Sequence, residues 1–323
     1  MMNKGLTLTL AVLLAASTGL AKPAASASKA SALNQKLSLA IQALSKDQAK
    51  KAISLISVEE FKKAGLNPDL AIMTLACAQY QAGQLEAAQA TYASIDKSSD
   101  RWAQAVEERA HAKAKAGDYN KAIADLTTLM SPVFVKSLGP EPYFIQALTY
   151  YRLCQYSKVI ETLEKFKTNI KPKATFLMSV ANGEANGKIS EAARLLNEKG
   201  LKTVSYIKLA PELPNNFHLD FKAQALLKNP GEALYRRVAQ MANQDLEEIS
   251  KVTRKLHLVE AQLMQQLHIA EKGSDDGRKK IGKFKSESGQ LIFPYNGEVW
   301  LDEVDQYQVT SESCPTAKDG VKL

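Results

Sequence analysis

The chain has 323 residues, enough for one large or two modest domains, with 42 Lys+Arg against 34 Asp+Glu and a formal net charge of +8 at pH 7. A balance this mild permits contact with anionic polymers without demanding it, and there is no dense Arg/aromatic interleaving, which argues against a nucleic-acid partner. Its three cysteines, Cys77, Cys154 and Cys314, have neither metal-knuckle nor CxxC spacing, so stability must come from packing rather than from a disulfide framework.

The basic start MMNK precedes the apolar run GLTLTLAVLLAASTGLA, which ends in Gly19-Leu20-Ala21. This pattern predicts a secretory signal peptide over residues 1–21, cleaved after Ala21. The run is too short and too rich in small residues for a membrane span, which wants about 20 apolar residues. No cysteine lies near the cut, so the expected product is a periplasmic or secreted protein, not a lipoprotein, without a transmembrane span. Residues 22–32, KPAASASKASA, read as a flexible spacer on composition.

Residues 33–198 carry a repeat. LACAQYQAGQLEAAQATY (Leu75–Tyr92) and AHAKAKAGDYNKAIADL (Ala110–Leu126) place Gly83 and Gly117 thirty-four residues apart. Ala78 and Ala112 precede the glycines by five, Ala88 and Ala122 follow by five, and Tyr92 and Leu126 follow by nine. Small residues let two helices approach, large ones plug the gaps, and a left-handed glycine ends the first helix. Weaker copies flank these: 37–56 with Asp47 at the glycine position, 141–166 with Cys154 there, and 174–196 with Gly187 there. Such units cannot bury their own apolar faces, so about five of them must stack into a curved, all-α helical solenoid.

Ala76, Ala78 and Ala88, the aromatic Tyr92, and the large apolar Ile72 and Leu75 resemble the motif of the tetratricopeptide-repeat family. The second copy departs from it at Arg109, where a leucine is expected. The resemblance implies a superhelix whose inner wall is lined by the first helix of each repeat. It puts Met73, Cys77 and Tyr80, then Glu107, His111 and Lys115, then Phe144, Leu148, Tyr151 and Arg152 on that wall. The positions of the family's two-lysine, two-asparagine carboxylate clamp hold Met73, Cys77, Glu107 and His111, so that clamp is absent. The wall is apolar and aromatic with His111, Lys115 and Arg152 as polar handles, which suits an amphipathic helix or extended peptide.

Two prolines break the periodicity across 199–229, where FHLDFKAQALLKN forms a short helix. Asn229, Pro230 and Glu232 then signal a helix start. Residues 230–272 read as one long helix stopped by Gly273, with Ile249, Val252, Leu256, Val259 and Leu263 forming an apolar stripe. A break near Asn243-Gln244-Asp245 would give a helical hairpin instead. Residues 273–292 form a polar linker with Arg278, Lys279, Lys280, Lys283 and Lys285; a solvated loop is the expectation. Residues 293–323 form an acidic tail with Phe293, Tyr295, Trp300 and Tyr307, and with Asn296-Gly297 as a hairpin signal. These aromatics are expected to dock on the stripe around Ile249–Leu263.

The stretch FPYNGEVWLDEVDQY with a terminal cysteine is similar to tails of repeat proteins in bacterial envelope and gliding-motility machineries. The expected function is therefore an exported, non-catalytic scaffold that engages an envelope protein or peptide. The alternative is a wall-polymer-binding or hydrolytic protein using Asp302, Glu303 and Asp305 of the tail. No HExxH, GxSxG, phosphate loop or dinucleotide fingerprint appears, so neither a catalytic residue nor a metal or cofactor is expected. The sequence does not specify whether the chain self-associates. Cys77 and Cys154 are separated by an intervening repeat, beyond disulfide reach, and are expected to be free thiols, leaving Cys314 as the exposed one.

Overall fold

The computed structural model describes residues 24–199 and 213–273, and among these every regular element is helical. The elements are α1 (Ala24–Ser45), α2 (Ala49–Leu55), α3 (Val58–Lys63), α4 (Asp69–Gln81), α5 (Leu85–Ala93), α6 (Trp102–Ala116), α7 (Tyr119–Leu129), α8 (Glu141–Arg152), α9 (Tyr156–Ala181), α10 (Asn186–Lys199), α11 (Phe221–Leu226) and α12 (Glu232–Gly273). The expected signal peptide, the basic linker from 274 and the aromatic tail with Phe293, Tyr295, Trp300, Tyr307 and Cys314 lie outside the described residues.

The spacer expectation is corrected. Residues 24–32 belong to α1, because alanine is the strongest helix former and no glycine interrupts the run. Leu33 and Leu37 then bury against Phe61 and Ala71 and anchor the helix.

One turn geometry recurs along the stack. Gly117 sits at φ +86°, its N–H donates to the Ala114 carbonyl, and Asp118 N–H donates to the Lys113 carbonyl at 2.9 Å. This pair of bonds caps a helix whose next residue is left-handed. The same six-to-one bond closes Gln84 on Gln79, Gln155 on Tyr150 and Gln48 on Ala43. The residues at the turn are Gly83 (φ +79°), Cys154 (φ +56°) and Asp47 (φ +59°), so the two non-glycine positions adopt the conformation that the alignment requires.

The fifth unit departs from the alignment. Gly183 (φ +78°), not Gly187, is its left-handed turn residue, and Gly187 lies inside α10. Its first helix is fused to the second helix of the unit before, giving the single 26-residue α9 with the exposed Pro172 inside it. The first unit departs too: its second helix is broken at Ile56-Ser57 into α2 and α3.

Packing follows the size pattern. Ala76, Ala78, Ala88, Ala112 and Ala122 are 0% exposed, and Tyr92 and Leu126 fill the spaces beside them. At the departing position, the guanidinium of Arg109 forks onto Asp125 of α7, with Nε–Oδ2 at 3.0 Å and Nη2–Oδ1 at 2.8 Å. Lys113 Nζ reaches the same carboxylate at 2.7 Å. A salt-bridged polar plug thus replaces an apolar one between α6 and α7.

Helix α12 is one continuous element, with no hairpin at Asn243–Asp245. It runs antiparallel to α9. Leu234, Val238, Met241 and Ala242 pack with Leu177, Val180 and α10, and Val252, Leu256, Val259 and Leu263 pack with Val159, Leu163, Phe166 and Ile170. The stripe expected to need the aromatic tail is therefore covered by α9 and by Tyr143 and Ala147 of α8. Among the described side chains of α12, the large apolar ones left exposed are Leu258 and Met264.

The segment before α11 ties this helix to the middle of the stack. Lys173 of α9 donates to the Leu138 carbonyl at 3.1 Å and to Asn215 Oδ1. Asn215 N–H donates to Asp245 Oδ2 at 2.7 Å, and the His218 ring lies 3.3 Å from the Asp100 carbonyl. Asp220 caps α11 by accepting from Ala223 N–H and pairs with Arg237 of α12.

Candidate partner groove

Helices α4, α6 and α8 supply the first helix of successive units, and α12 packs against α8, bordering the wall they share. Of the ten wall residues read from the sequence, Tyr80, Glu107, Lys115, Phe144, Leu148, Tyr151 and Arg152 keep some access to solvent. Met73 does not: at 2% exposed it lies in the core with Trp102 and Ala88. Cys77, 1% exposed, is likewise a core residue, grouped with Ala40, Ala43 and Ala52 of the preceding unit.

The remaining side chains form two cation–aromatic contacts. Lys115 Nζ sits 4.2 Å above the Tyr80 ring, and Lys255 Nζ of α12 sits 4.8 Å above the Phe144 ring. Lys255 also bonds Glu141 Oε1 at 2.5 Å. Tyr151 packs on Tyr156 with ring centroids 6.0 Å apart, and Arg152 is exposed at the end of α8. His111 is 7% exposed and makes no hydrogen bond among the described residues; Glu141 and Lys255 are the charged groups it faces.

The basic handles are joined by acidic ones, of which the sequence places only Glu107 on the wall. Glu107 and Glu108 of α6, Glu141 of α8 and Glu248 of α12 share one field. Burial, reinforced by the charges of Glu141 and Glu248, pushes Glu108 up to about 7. Burial with Asp245 and Glu141 does the same to Glu248, up to about 7, and Glu107 is raised well above the usual carboxylate range. Burial also holds His111 down at about 4, against the pull of Glu141, so its ring is neutral at pH 7. Tyr80 is raised to about 12 by burial and by the Glu108 charge. Glu141 Oε2 is sealed from solvent without a hydrogen-bond partner among the described residues.

Spacing in the sequence carries part of this signal. Glu248 and Lys255 are seven residues apart, hence on one face of α12. Which helix that face meets is not encoded locally. Among the described residues, no group of three His, Cys, Asp or Glu is arranged to hold a metal ion. The wall presents aromatic faces flanked by lysines, with carboxylates whose ionisation burial and neighbouring charge oppose.

A separate shallow cleft of about 350 Å³ lies between α7, α8 and α9, lined by Ser131, Gln146, Tyr150 and Thr162 among others. Its hydroxyls are satisfied in part by Gln146–Thr162 contact at 3.4 Å, and it holds none of the carboxylates above.

The cysteine expectation divides. Cys77 is a free buried thiol, raised to about 12 by burial and then by Glu108. Cys154 is disulfide-bonded, not free. It stands in a half-buried turn rather than in the core, where its sulfur can meet another segment. No protein-family model matches the chain, and no curated protein matches it. Among the described residues, no helix is long and apolar enough to cross a membrane.

Proposed function

We propose that the protein is an exported, non-catalytic scaffold of the tetratricopeptide-repeat type, which holds a protein partner of the bacterial envelope in the groove formed by α4, α6, α8 and α12. The observation that carries this reading is the pair of cation–aromatic contacts on successive units, Lys115 over Tyr80 and Lys255 over Phe144. A stack of short repeats that carries such contacts on consecutive units suits an extended recognition surface. Two further features support it. The N-terminal sequence has the form of a signal peptide. A disulfide at Cys154 suits an oxidising compartment.

The test compares the tagged full chain with a Tyr80→Ala/Phe144→Ala variant in capture from envelope extract of the producing organism. The reading expects a protein partner recovered by the wild type and lost from the folded variant. Wild-type protein recovered alone and monomeric, or a partner retained equally by both, would count against it.

A further inference from the structure

We infer that the chain's own acidic, aromatic segment 293–313 occupies this wall in the oxidised monomer, tied down by a disulfide between Cys154 and Cys314 and lying against the edge that carries Lys115, Tyr151 and Arg152. A partner then binds by displacing it. The displacement rests on the groove being the partner surface; the occupancy does not.

The tether is the first observation. Cys154 is disulfide-bonded, Cys77 is a free thiol and the chain has three cysteines, which leaves Cys314. The fold brings both ends of the intervening chain to one place. Lys167 Nζ lies 3.6 Å from Glu260 Oε1 across the antiparallel pair α9 and α12. Cys154 is thirteen positions before Lys167, and Gly273 is thirteen positions after Glu260. At equal rise per residue, α12 therefore ends at the level of the α8–α9 turn. The forty residues 274–313 start and finish at the same end of the stack.

The second is that the wall is polarised along its helices. Lys115, one residue from the end of α6, stacks over Tyr80, one residue from the end of α4, so the C-terminal ends of successive first helices lie together. Helix α8 likewise ends in Tyr151 and Arg152, and the turn with Cys154 follows. Glu107 and Glu108 stand in the first half of α6, and Glu141 begins α8, so these carboxylates lie toward the opposite edge. Beside the α6–α7 and α8–α9 turns, Asp118 pairs with Lys121, and Glu161 is shared by Lys158 and Lys165. The segment 293–313 carries Glu298, Asp302, Glu303, Asp305 and Glu312 and no lysine or arginine. Its sign suits the turn edge, where the disulfide holds it, and not the other.

The third is apolar surface within reach. Phe144, Leu148 and Tyr151 follow one another along α8 and are half-buried, and Leu258, three residues beyond Lys255 on α12, is exposed. The stripe of α12 is closed by α9, so this strip is what Trp300 and Tyr307 can cover. Tyr307 lies seven residues before Cys314 and can extend about 23 Å from it. Phe144 lies ten residues before Cys154, about 15 Å along α8. Exposed ion pairs contribute little singly. A tether this short sets an effective concentration on the order of millimolar, at which weak contacts suffice.

The experiment compares the oxidised full chain with two variants. Cys154→Ser/Cys314→Ser has neither the bridge nor a thiol at either position; Trp300→Ala/Tyr307→Ala keeps the bridge. Each is acetylated under native conditions with N-hydroxysuccinimidyl acetate, and the rate at Lys115 is read by mass spectrometry, with the exposed Lys50 of α2 as control. The expected result is a monomer on a non-reducing gel, with Lys115 modified at least threefold more slowly in the wild type than in either variant and Lys50 unchanged. A bridge joining two chains overturns the inference. So do equal Lys115 rates in the wild type and the bridge-free variant, or full protection persisting in Trp300→Ala/Tyr307→Ala. Capture from envelope extract separates the two readings: a partner recovered in greater yield by the bridge-free variant is expected, and equal yields overturn displacement. Protection of Lys115 with no partner recovered by any of the three chains keeps the tail on the wall and removes the scaffold reading.

Discussion

Removing the carboxylate of Asp125 tests how the second clear repeat tolerates a charge where its motif calls for leucine. Asp125 is 4% exposed at its side chain and Arg109 11%. Three charge-assisted bonds converge on that one carboxylate, two from Arg109 at 3.0 and 2.8 Å and one from Lys113 at 2.7 Å. Asp125→Ala leaves the Arg109 guanidinium buried and unneutralised, a situation that destabilises by about 3–5 kcal/mol. Lys113, at 15% exposed, can extend toward water on its aliphatic stem and adds little. Arg109→Leu/Asp125→Ala removes both buried charges and restores the apolar residue, so it should destabilise by at least about 2 kcal/mol less than Asp125→Ala alone, since exchanging a buried pair for apolar packing is often neutral. The assay is urea denaturation of the oxidised full chain followed by circular dichroism, with hydrogen exchange across 102–129 to place the loss. Asp125→Ala within about 1 kcal/mol of wild type, or a double variant equal to the sum of the two singles within about 0.5 kcal/mol, would refute the account of Arg109 as a buried charge that depends on Asp125.

Four further outcomes are expected. Gly117→Ala should destabilise by about 1–2 kcal/mol in the same denaturation assay, through the left-handed dihedral alone, because a Cβ there meets nothing within 4 Å. Leu256→Ala should cost about 2–5 kcal/mol and speed hydrogen exchange in α9 and α12, while exchange across 75–93 stays unchanged. The folded-state pKa values of Glu108 and Glu248, near 7, lie above the unfolded carboxylate value of about 4.3, so folding binds protons and stability is lost as pH rises from about 4 through 7. His111, held at about 4, has the opposite sign and destabilises as pH falls below about 6.5, but two carboxylates outweigh one imidazole, so the thermal midpoint should fall as pH rises from about 4.5 to 7 and should lose that fall in Glu108→Gln/Glu248→Gln. Non-reducing peptide mapping should find Cys154 shifted only after reduction and Cys77 alkylated only after unfolding; with Cys77 free and three cysteines in the chain, Cys314 is the expected partner, and a Cys77–Cys154 peptide would refute the order of the repeats.

The repeat was legible because its signals are local. A helix that must reverse needs a left-handed residue at its end, two helices that touch need small side chains where they cross, and both demands fall at set distances along the chain. Gly83, Gly117, Ala78, Ala88, Ala112 and Ala122 meet them, and even Asp47 and Cys154 were found by position although their residue type argues against the conformation. The misreadings were also local. Composition reads residues 24–32 as spacer, yet alanine and serine without glycine are compatible with helix, and Leu33 and Leu37 beyond them bind α1 to its neighbours. Spacing puts Gly187 at the turn of the fifth unit, yet Gly183, four residues earlier, makes that turn, because the register of α9 decides which glycine ends the helix.

By itself, then, the sequence determined the all-α class, the helix–turn–helix period, the long C-terminal helix and the apolar stripe along it, since each is set by neighbours within a few turns. Only the tertiary structure decided what that stripe covers, why Met73 and Cys77 are core rather than wall, and where Arg109 finds its counter-charge. It also decided the character of the groove. Glu107 and Glu108, Glu141, and Glu248 are separated by up to 141 residues in the chain, and their mutual repulsion exists only once α12 folds back antiparallel to α9 and borders α6 and α8. Charge at a distance in sequence leaves no periodic trace, so carboxylates that read one by one as solvated surface come to raise one another only through the packing of the helices that carry them.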